Sequence, residues 1–326
     1  MRRRILATAT VAVAALSLAA CGTTEPSSDD SAASAKSAGK ITLTDAKGTK
    51  VTLDGPATKV VATEWNVVED LITLGVAPVG VADVKGYTAW NTAAPLTGDP
   101  KDIGTRGEPS IDTVAALAPD LVVATSDLAP AVVKQLRKVA PVLEVTSADA
   151  ADQIGTMTQG LDLIAKATGK EDRAGTVKKD FEASLAEGRK ALADAGLGGA
   201  EIASADGYVA SNQVSVRAFT GGSLLGAVNE RLGLKNAWTV KGDASYGLAT
   251  TDVEGLTGLG DVQFSYIAND VDGDPFTGTL AKNAVWKSLP FVKDGNVHRL
   301  PDGVWMFGGP RSMEAYADSL VDALTK

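Results

Sequence analysis

The sequence is poor in the residues that most often bind metals or carry out nucleophilic and base chemistry. Its 326 residues include a single cysteine, Cys21, and a single histidine, His298. One cysteine cannot form an intrachain disulfide or supply a thiolate metal site. The motifs Gly-x-Ser-x-Gly and His-Glu-x-x-His are absent, and they are typical of serine hydrolases and zinc peptidases. These absences argue against a hydrolase, which stays as an alternative from another class of protein.

Positive charge is also scarce. The chain has 40 Asp and Glu against 31 Lys and Arg, a formal net charge of −9. Such an acidic surface argues against a nucleic-acid partner. Hydrophobic residues make up 44% of the chain, enough for real cores, and chains of this length usually divide into domains. We therefore expect two domains and no nucleic-acid binding.

The first 20 residues have the pattern of a bacterial lipoprotein signal. Three arginines at 2–4 precede an uncharged apolar run over 5–18, and Leu18-Ala19-Ala20-Cys21 ends it with small residues. The run is too short to span a bilayer. The pattern predicts cleavage before Cys21 and lipidation of Cys21, which would anchor the protein, acylated with palmitate-like chains, at the extracytoplasmic face of the membrane. An ordinary cleaved signal peptide is the alternative.

Residues 21–40 are almost all small or polar. Such a segment buries too little apolar surface to offset its ordering entropy. We expect a flexible tether of about 25 Å between the lipid and the folded part.

Residues 41–148 alternate between short apolar strands and helices. A hairpin around Asp45 to Gly48 comes first, and strands follow at Val60–Ala62, Val79–Ala82, Leu121–Ala124 and Val142–Val145. Near-continuous apolar strands with helices between them predict a mostly parallel sheet covered on both faces. Asn66 with Glu69 resembles a capping box at the first helix, and Ser110 is expected to cap another. Residues 41–148 are thus predicted to form an N-terminal α/β lobe.

Residues 149–170 interrupt this alternation with apolar residues at helical spacing, and Gly169 ends the run. A second helix follows, and strand–helix alternation then resumes to the end of the chain. We predict a connecting helix over 149–170 and a second α/β lobe over 171–326. The ligand is expected in the cleft between the two lobes.

Several motifs then resemble one known family. They are Gly104-Thr105-Arg106-Gly107-Glu108-Pro109-Ser110, Thr63-Glu64-Trp65-Asn66, Leu232 to Trp238, Trp286 to Pro290, and Val304-Trp305-Met306-Phe307-Gly308-Gly309. In this order they resemble the siderophore-binding lipoproteins of ABC importers, whose lobes are joined by one rigid helix. Ferric hydroxamate binders are the most similar members.

The resemblance implies a function and a set of residues. The protein would be a non-enzymatic monomer that captures a ferric siderophore and passes it to an ABC permease and its ATPase. Arg106 would reach the iron-bound oxygens, and Trp65, Trp90, Tyr246 and Trp305 would line the cleft. Two positions depart from the family: Asp127-Leu128 stands where an aromatic is expected, and Tyr246 replaces a common Trp.

The chemistry of these residues agrees with a chelate as cargo. Ferric iron prefers about six oxygen ligands, which this chain does not supply in a tight cluster, so iron is expected to arrive as a preformed chelate without a protein cofactor. A guanidinium suits the oxygens at the metal, and aromatic rings suit apolar arms. Haem, cobalamin, ferric citrate and catecholate chelates stay open as alternatives.

The remaining candidates have competing structural interpretations. Arg311 is a further ligand-binding candidate, and Arg217 is weighed with it, although surface pairing is the simpler interpretation of both. Asp112 and Glu254 occupy places where relatives dock on the permease, or they simply stabilise helix N-termini. Trp65 stays open between core and cleft, and the polar Gly-, Thr- and Pro-rich segment around Trp90 predicts a loop. Trp238, Trp286 and His298 are expected to be structural.

Overall fold

A computed structural model of the chain describes residues 39–210 and 213–326. The predicted signal peptide, the lipidation site Cys21 and nearly all of the predicted tether lie outside the described residues. Within the described residues, no helix combines the length and apolar character needed to cross a bilayer.

The described chain contains fifteen strands. They are β1 Ile41–Thr44, β2 Lys50–Leu53, β3 Val60–Ala62, β4 Gly80–Val81, β5 Lys101–Asp102, β6 Gly104–Thr105, β7 Glu108–Pro109, β8 Leu121–Thr125, β9 Val142–Val145, β10 Glu201–Ala210, β11 Gln213–Phe219, β12 Lys235–Asn236, β13 Leu248–Thr251, β14 Gln263–Ile267 and β15 Val297–Arg299.

Ten α-helices accompany the strands in the described chain. They are α1 Trp65–Thr73, α2 Val84–Trp90, α3 Ile111–Leu117, α4 Pro130–Leu136, α5 Gln153–Thr168, α6 Glu171–Asp194, α7 Leu224–Arg231, α8 Ala284–Ser288, α9 Pro290–Lys293 and α10 Pro310–Thr325. Short 3₁₀ turns occupy Glu254–Gly258 and Leu280–Lys282.

The first lobe is built on a fully parallel sheet in the order β5-β4-β3-β8-β9. Every residue of β3, β8 and β9 is buried, as expected for strands covered on both faces. The predicted hairpin is confirmed by the antiparallel pair β1 and β2.

The second lobe has a mixed sheet in the order β13-β11-β10-β14-β15, with β12 also paired to β10. Strands β10, β14 and β15 are parallel, whereas β11 is antiparallel to both β10 and β13. Two α/β lobes are therefore present, as the sequence predicts. Trp238 and Trp286 lie in the core of this second lobe, as expected.

Helices α5 and α6 connect the lobes. Asp152 caps α5 by accepting from the Gly155 amide, and Gly169 ends it in the left-handed conformation at φ 67°, which glycine adopts without steric cost. Helix α5 is shorter than the predicted 149–170, because Asp149 to Asp152 form the turn and cap before it. One hydrophobic cluster runs from the first sheet through α5, α6 and α10 into the second lobe.

Two local predictions at the first lobe are wrong. The capping box is not formed: Glu64 is the N-cap of α1, and Glu69 is buried inside the protein. The polar segment around Trp90 is not a loop, because Asp83 caps the short helix α2, which ends at Trp90. In both cases an acidic side chain has a different role from the predicted one: Glu69 is buried rather than capping α1, and Asp83 caps a helix where a loop was expected.

Candidate functional site

A cavity of about 1130 Å³ lies between the two lobes. It is formed where the carboxyl ends of strands from both sheets meet, the usual ligand position in open α/β sheets. Glu64 and Trp65 follow β3, Asp83 follows β4, and Asn269 follows β14. Its volume would accommodate a ligand larger than most metabolites.

Arg106 is presented to this cavity by a tight turn between β6 and β7. The turn is possible because Gly104 and Gly107 take φ values of 100° and 81°, which are strained for other residues. The Arg106 Nη1 donates to Glu64 Oε1 at 2.8 Å. Its Cζ lies 4.0 Å from the Trp65 ring centre and 5.1 Å from that of Trp305, a cation–π arrangement. The guanidinium is thus held in place while still lining the cavity.

Aromatic side chains from both lobes form one cluster beside Arg106. The ring centres of Trp65 and Trp305 are 4.7 Å apart, and Trp305 lies 6.0 Å from Trp90 and 5.3 Å from Phe307. Trp65 and Trp305 are only 4% and 7% exposed. Both residues therefore pack as core on one side and line the cavity on the other, which joins the two interpretations that the sequence left open for Trp65.

Trp90 connects the lobes at one rim of the cavity. Its Nε1 donates to Asp272 Oδ2 at 2.8 Å, and the neighbouring Ala89 carbonyl accepts from Asn269 Nδ2 at 2.7 Å. Arg299 forms ion pairs with Asp270 and Asp274 of the adjoining loop, and also with Asp302. Ion pairs therefore hold the loop that forms this wall of the cavity.

Tyr246 connects the lobes on another side. Its hydroxyl donates to Asp127 Oδ2 at 2.8 Å, so the two positions that depart from the family pattern are partners. Burial, followed by the Asp127 charge, raises the pKa of Tyr246. Burial also acts to raise the pKa of Asp127, but hydrogen bonds from Thr125, Tyr246 and Ser147 outweigh it, and the net pKa is lowered. A neutral phenol thus donates to an ionised carboxylate.

The two arginines that the sequence left undecided are placed differently. Arg217 lines the cavity, where its Nε donates to Asp206 Oδ1 at 2.9 Å and its Nη2 contacts Asp206 Oδ2. Burial raises the pKa of Asp206, and the Arg217 charge opposes this. Arg311 is not among the lining residues, and the expectation that it binds ligand is not supported: it lies on α10, paired with Glu314 at 2.6 Å and Asp180 at 3.6 Å.

Sequence reasoning missed several lining residues. Glu64 and Phe307 lie inside motifs that were already informative, so their positions could have been found. Tyr208, Val209 and Val271 had no sequence signal, yet they are 54%, 53% and 66% exposed and line the cavity mouth. Exposed apolar groups at a cavity mouth suit a ligand with apolar parts.

The predicted docking acids are exposed and do not line the cavity. Asp112 is in the first turn of α3, and Glu254 begins a 3₁₀ turn rather than an α-helix. His298 has a structural partner, Gln263 Oε1, at 2.7 Å. In the described part of the chain, no three or more His, Cys, Asp or Glu residues are grouped to hold a metal ion.

Comparison with known proteins gives a consistent set of matches. The sequence profile of the family described as "Periplasmic binding protein" matches residues 60–303. The Fe(3+)-citrate-binding protein YfmC of Bacillus subtilis is 28% identical over 95% of this chain and 96% of its own. The iron(3+)-hydroxamate-binding protein FhuD of Escherichia coli is 24% identical over 82% of this chain and 86% of its own.

A solved structure supports the fold. The Fe³⁺–Desferal-bound siderophore-binding protein FhuD of Vibrio cholerae superposes with a TM-score of 0.74 at 24% identity, covering 82% of this chain and 98% of that one. The two-lobe architecture with an intervening cavity is therefore that of a known structural class.

Proposed function

Because the chain belongs to the periplasmic binding protein family, we propose that it captures a ferric siderophore outside the cytoplasm and delivers it to an ABC permease for iron uptake. The observation that carries this proposal is the cavity of about 1130 Å³, in which Arg106 lies against Trp65 and Trp305 from opposite lobes. An iron chelate has oxygens at its metal and apolar arms around it. The guanidinium suits the first and the rings suit the second.

A hydroxamate chelate is the favoured cargo. A relative named for hydroxamate binding aligns over most of both chains, and Arg106 stands in the turn that matches the hydroxamate-binding members. Ferric citrate is the second candidate, because the relative named for it aligns over 95% of this chain. In both cases the protein is a binding protein rather than an enzyme, and the iron arrives already bound in the chelate.

Tryptophan fluorescence tests the proposal directly, since Trp65, Trp90 and Trp305 line the cavity. Iron-loaded hydroxamates should quench the emission saturably, with affinities between micromolar and nanomolar, about −8 to −12 kcal/mol. Uncomplexed Fe³⁺ in chelator-free buffer should not. The absence of saturable quenching by every ferric chelate would contradict the proposal.

Arg106→Ala sharpens this test. Losing a charge-assisted hydrogen bond should cost roughly 1.5–3 kcal/mol, about ten- to hundredfold in Kd. Arg106→Lys should restore only part of the affinity, because an ammonium lacks the planar fork. Arg231→Ala is the matched control, since it removes an arginine that pairs with Glu182 away from the cavity. Wild-type affinity in Arg106→Ala would remove Arg106 from the site.

We also propose that the mature protein is a monomer held at the outer face of the membrane by lipid on Cys21. Stable anchoring needs more than one acyl chain, at about 0.8 kcal/mol per buried CH₂. Cys21→Ser should abolish lipid labelling and release the protein from the membrane fraction. Unchanged retention and labelling would show that another segment anchors it.

Asp112 and Glu254 are proposed to dock with cationic residues of the permease. Their exposure leaves them available to a partner, and a rim charge acts mainly on association. Charge reversal at both positions should therefore reduce iron uptake by cells while chelate quenching stays unchanged. Full uptake by the reversed variant would leave both acids with a local role at their helical turns.

A further inference from the structure

The charged side chains that line the cavity are mostly acidic. Five carboxylates and three cations line it, which leaves a formal charge of −2; they are Glu64, Asp83, Asp206, Asp272 and Asp274, with Lys85, Arg106 and Arg217. A site built for a strongly anionic ligand would have the opposite balance.

Both arginines of the lining have a carboxylate partner. Arg106 donates to Glu64 at 2.8 Å, and Arg217 forms two contacts with Asp206, whose side chain is 10% exposed. Stacking on Trp65 and proximity to Phe307 further restrict the two guanidinium groups. Each arginine can therefore offer hydrogen-bond donors to a ligand while its charge is largely cancelled.

The remaining lining charges do not reverse this balance. Lys85 is exposed on α2 and has no ion pair among the described residues. Against it stand Asp272, which accepts from Trp90 Nε1, and Asp83, which accepts from the Gly86 amide. Asp274 is paired with Arg299 outside the lining. The net field at the cavity is therefore negative.

Ferric chelates differ in charge in a way that this field would detect. Three singly charged hydroxamates cancel the charge of ferric iron, and an ammonium tail makes such a chelate cationic. Three doubly charged catecholates leave three negative charges, and ferric citrate is also anionic.

We infer that Glu64 and Asp206 determine specificity: by neutralising Arg106 and Arg217 they make the cavity accept neutral or cationic ferric chelates and reject strongly anionic ones. This inference rests on the proposed function and extends it to the charge class of the cargo. It also separates the two candidate cargoes, because it favours the hydroxamate over ferric citrate.

The experiment measures the affinity of the same folded protein for four probes. They are ferric desferrioxamine, neutral ferrichrome, trianionic ferric enterobactin and ferric citrate. The wild type should bind the first two at least about 100-fold more tightly than the third. Glu64→Gln keeps a carbonyl oxygen to accept from Arg106 but removes the charge. It should tighten binding of the anionic probes, relative to neutral ferrichrome, on the order of tenfold.

Asp194→Asn is the matched control, because Asp194 is an exposed acid on α6 that pairs with Lys190 and does not line the cavity. It changes the net charge of the protein equally, and it should leave the discrimination unchanged. Raising the salt about tenfold should reduce the wild-type difference in affinity between neutral and anionic chelates, since screening weakens the repulsion. The same salt increase should reduce this difference less in Glu64→Gln. Asp206→Asn tests the second carboxylate in the same way. Because Asp206 is buried, a thermal melt is needed to show that this variant is folded.

The outcomes separate the two proposals. Equal wild-type affinity for neutral and trianionic chelates, or a folded Glu64→Gln with unchanged discrimination, would overturn the charge inference and leave the proposed function in place. Wild-type protein that binds none of the four probes would overturn the proposed function, and the charge inference with it.

Discussion

Glu69 and Asp70 are neighbours on α1, yet their carboxyl groups have opposite surroundings. Glu69 accepts from the Ser312 amide at 2.8 Å, from Ser312 Oγ at 2.5 Å and from Asn91 Nδ2 at 2.7 Å. Asp70 Oδ1 is buried and has no hydrogen-bond partner among the described residues. An unpartnered buried carboxyl group is costly when ionised.

This difference predicts a pH effect at a single residue. Burial, followed by the charge of Glu69, raises the pKa of Asp70 well above its ordinary value. The folded state therefore keeps a proton that the unfolded state has already released above about pH 3.9. The contribution of Asp70 to stability is thus present at low pH and is lost as the pH rises toward the raised pKa.

Asp70→Asn should remove this loss. The melting temperature of the variant should exceed that of the wild type by a few degrees at about pH 8, and the gap should shrink toward about pH 5. Asp54→Asn is the control, because Asp54 is exposed with only a long contact to Lys40 at 3.7 Å. It should leave the melting temperature unchanged at both pH values. A gap that is constant with pH would show that Asp70 does not titrate in this range.

Elements with a strong local signal were predictable from the sequence, and elements that depend on distant partners were not. The strands β3, β8 and β9 have continuous apolar residues, and α3 has its cap at Ser110. In contrast, β12 (Lys-Asn) and β13 (Leu-Ala-Thr-Thr) have no continuous apolar run, and only their pairing with β10 and β11 defines them as strands. Helix α2 was missed because Asp83 caps it from a left-handed backbone conformation that a polar sequence does not reveal.

The candidate site shows the same limit. Arg106 and three tryptophans were found from motifs, but the partner of Arg106 is Glu64, 42 positions earlier. Nothing in the local sequence predicts which of 40 acidic residues would meet a given arginine. Pairing across the fold, which sets the charge of the cavity, required the structure.

The loop that carries Tyr246 depends on a contact with the other lobe. Asp243 organises the loop by accepting from the amides of Ser245, Tyr246 and Leu248, and the Tyr246 hydroxyl reaches Asp127. Tyr246→Phe should therefore destabilise the protein by about 0.5–1.5 kcal/mol at neutral pH, a modest value because Asp127 is partly solvated. The pKa of Asp127 is lowered, so the effect should diminish as the pH falls through that pKa.

Chemical denaturation at pH 7 and at low pH measures this difference, and hydrogen exchange over residues 243–248 should become faster in the variant. Tyr208→Phe makes the same chemical change at a residue that lines the same cavity but is 54% exposed. It should have no measurable effect on stability. Equal effects of the two variants would mean that the Tyr246–Asp127 contact does not stabilise the lobes.

At the scale of the whole molecule, Glu69 joins the two lobes at the base of the cleft. Gly309 is the N-cap residue of α10 and offers no side-chain cap. Instead, Glu69 of the first lobe accepts from the amide and the hydroxyl of Ser312 in the first turn of α10. Burial raises the pKa of Glu69, and hydrogen bonds from Ser312, Asn91 and Gly309 oppose this. A residue of α1 therefore supplies the N-terminal cap of α10.

Glu69→Ala should lower the free energy of unfolding by about 2–5 kcal/mol, because it leaves buried donors unpaired. Both lobes should be affected together, so fluorescence and circular dichroism should report one transition shifted to lower urea. Glu171→Ala, which removes an exposed acid from the first turn of α6, should cost at most about 1 kcal/mol. An unchanged transition midpoint in Glu69→Ala would show that Glu69 does not stabilise the contact between the lobes.

The bond between Glu69 and Ser312 spans 243 positions of the chain. A polypeptide emerging from a membrane pore with its N-terminus first exposes α1 long before α10. The usual order, in which an N-terminal unit completes its folding while the rest is still being delivered, is therefore interrupted here. Until residues 309–312 emerge, Glu69 lacks its donors from Ser312 and Gly309 and keeps only Asn91, so the first lobe is completed by a segment that follows Glu69 by about 243 positions.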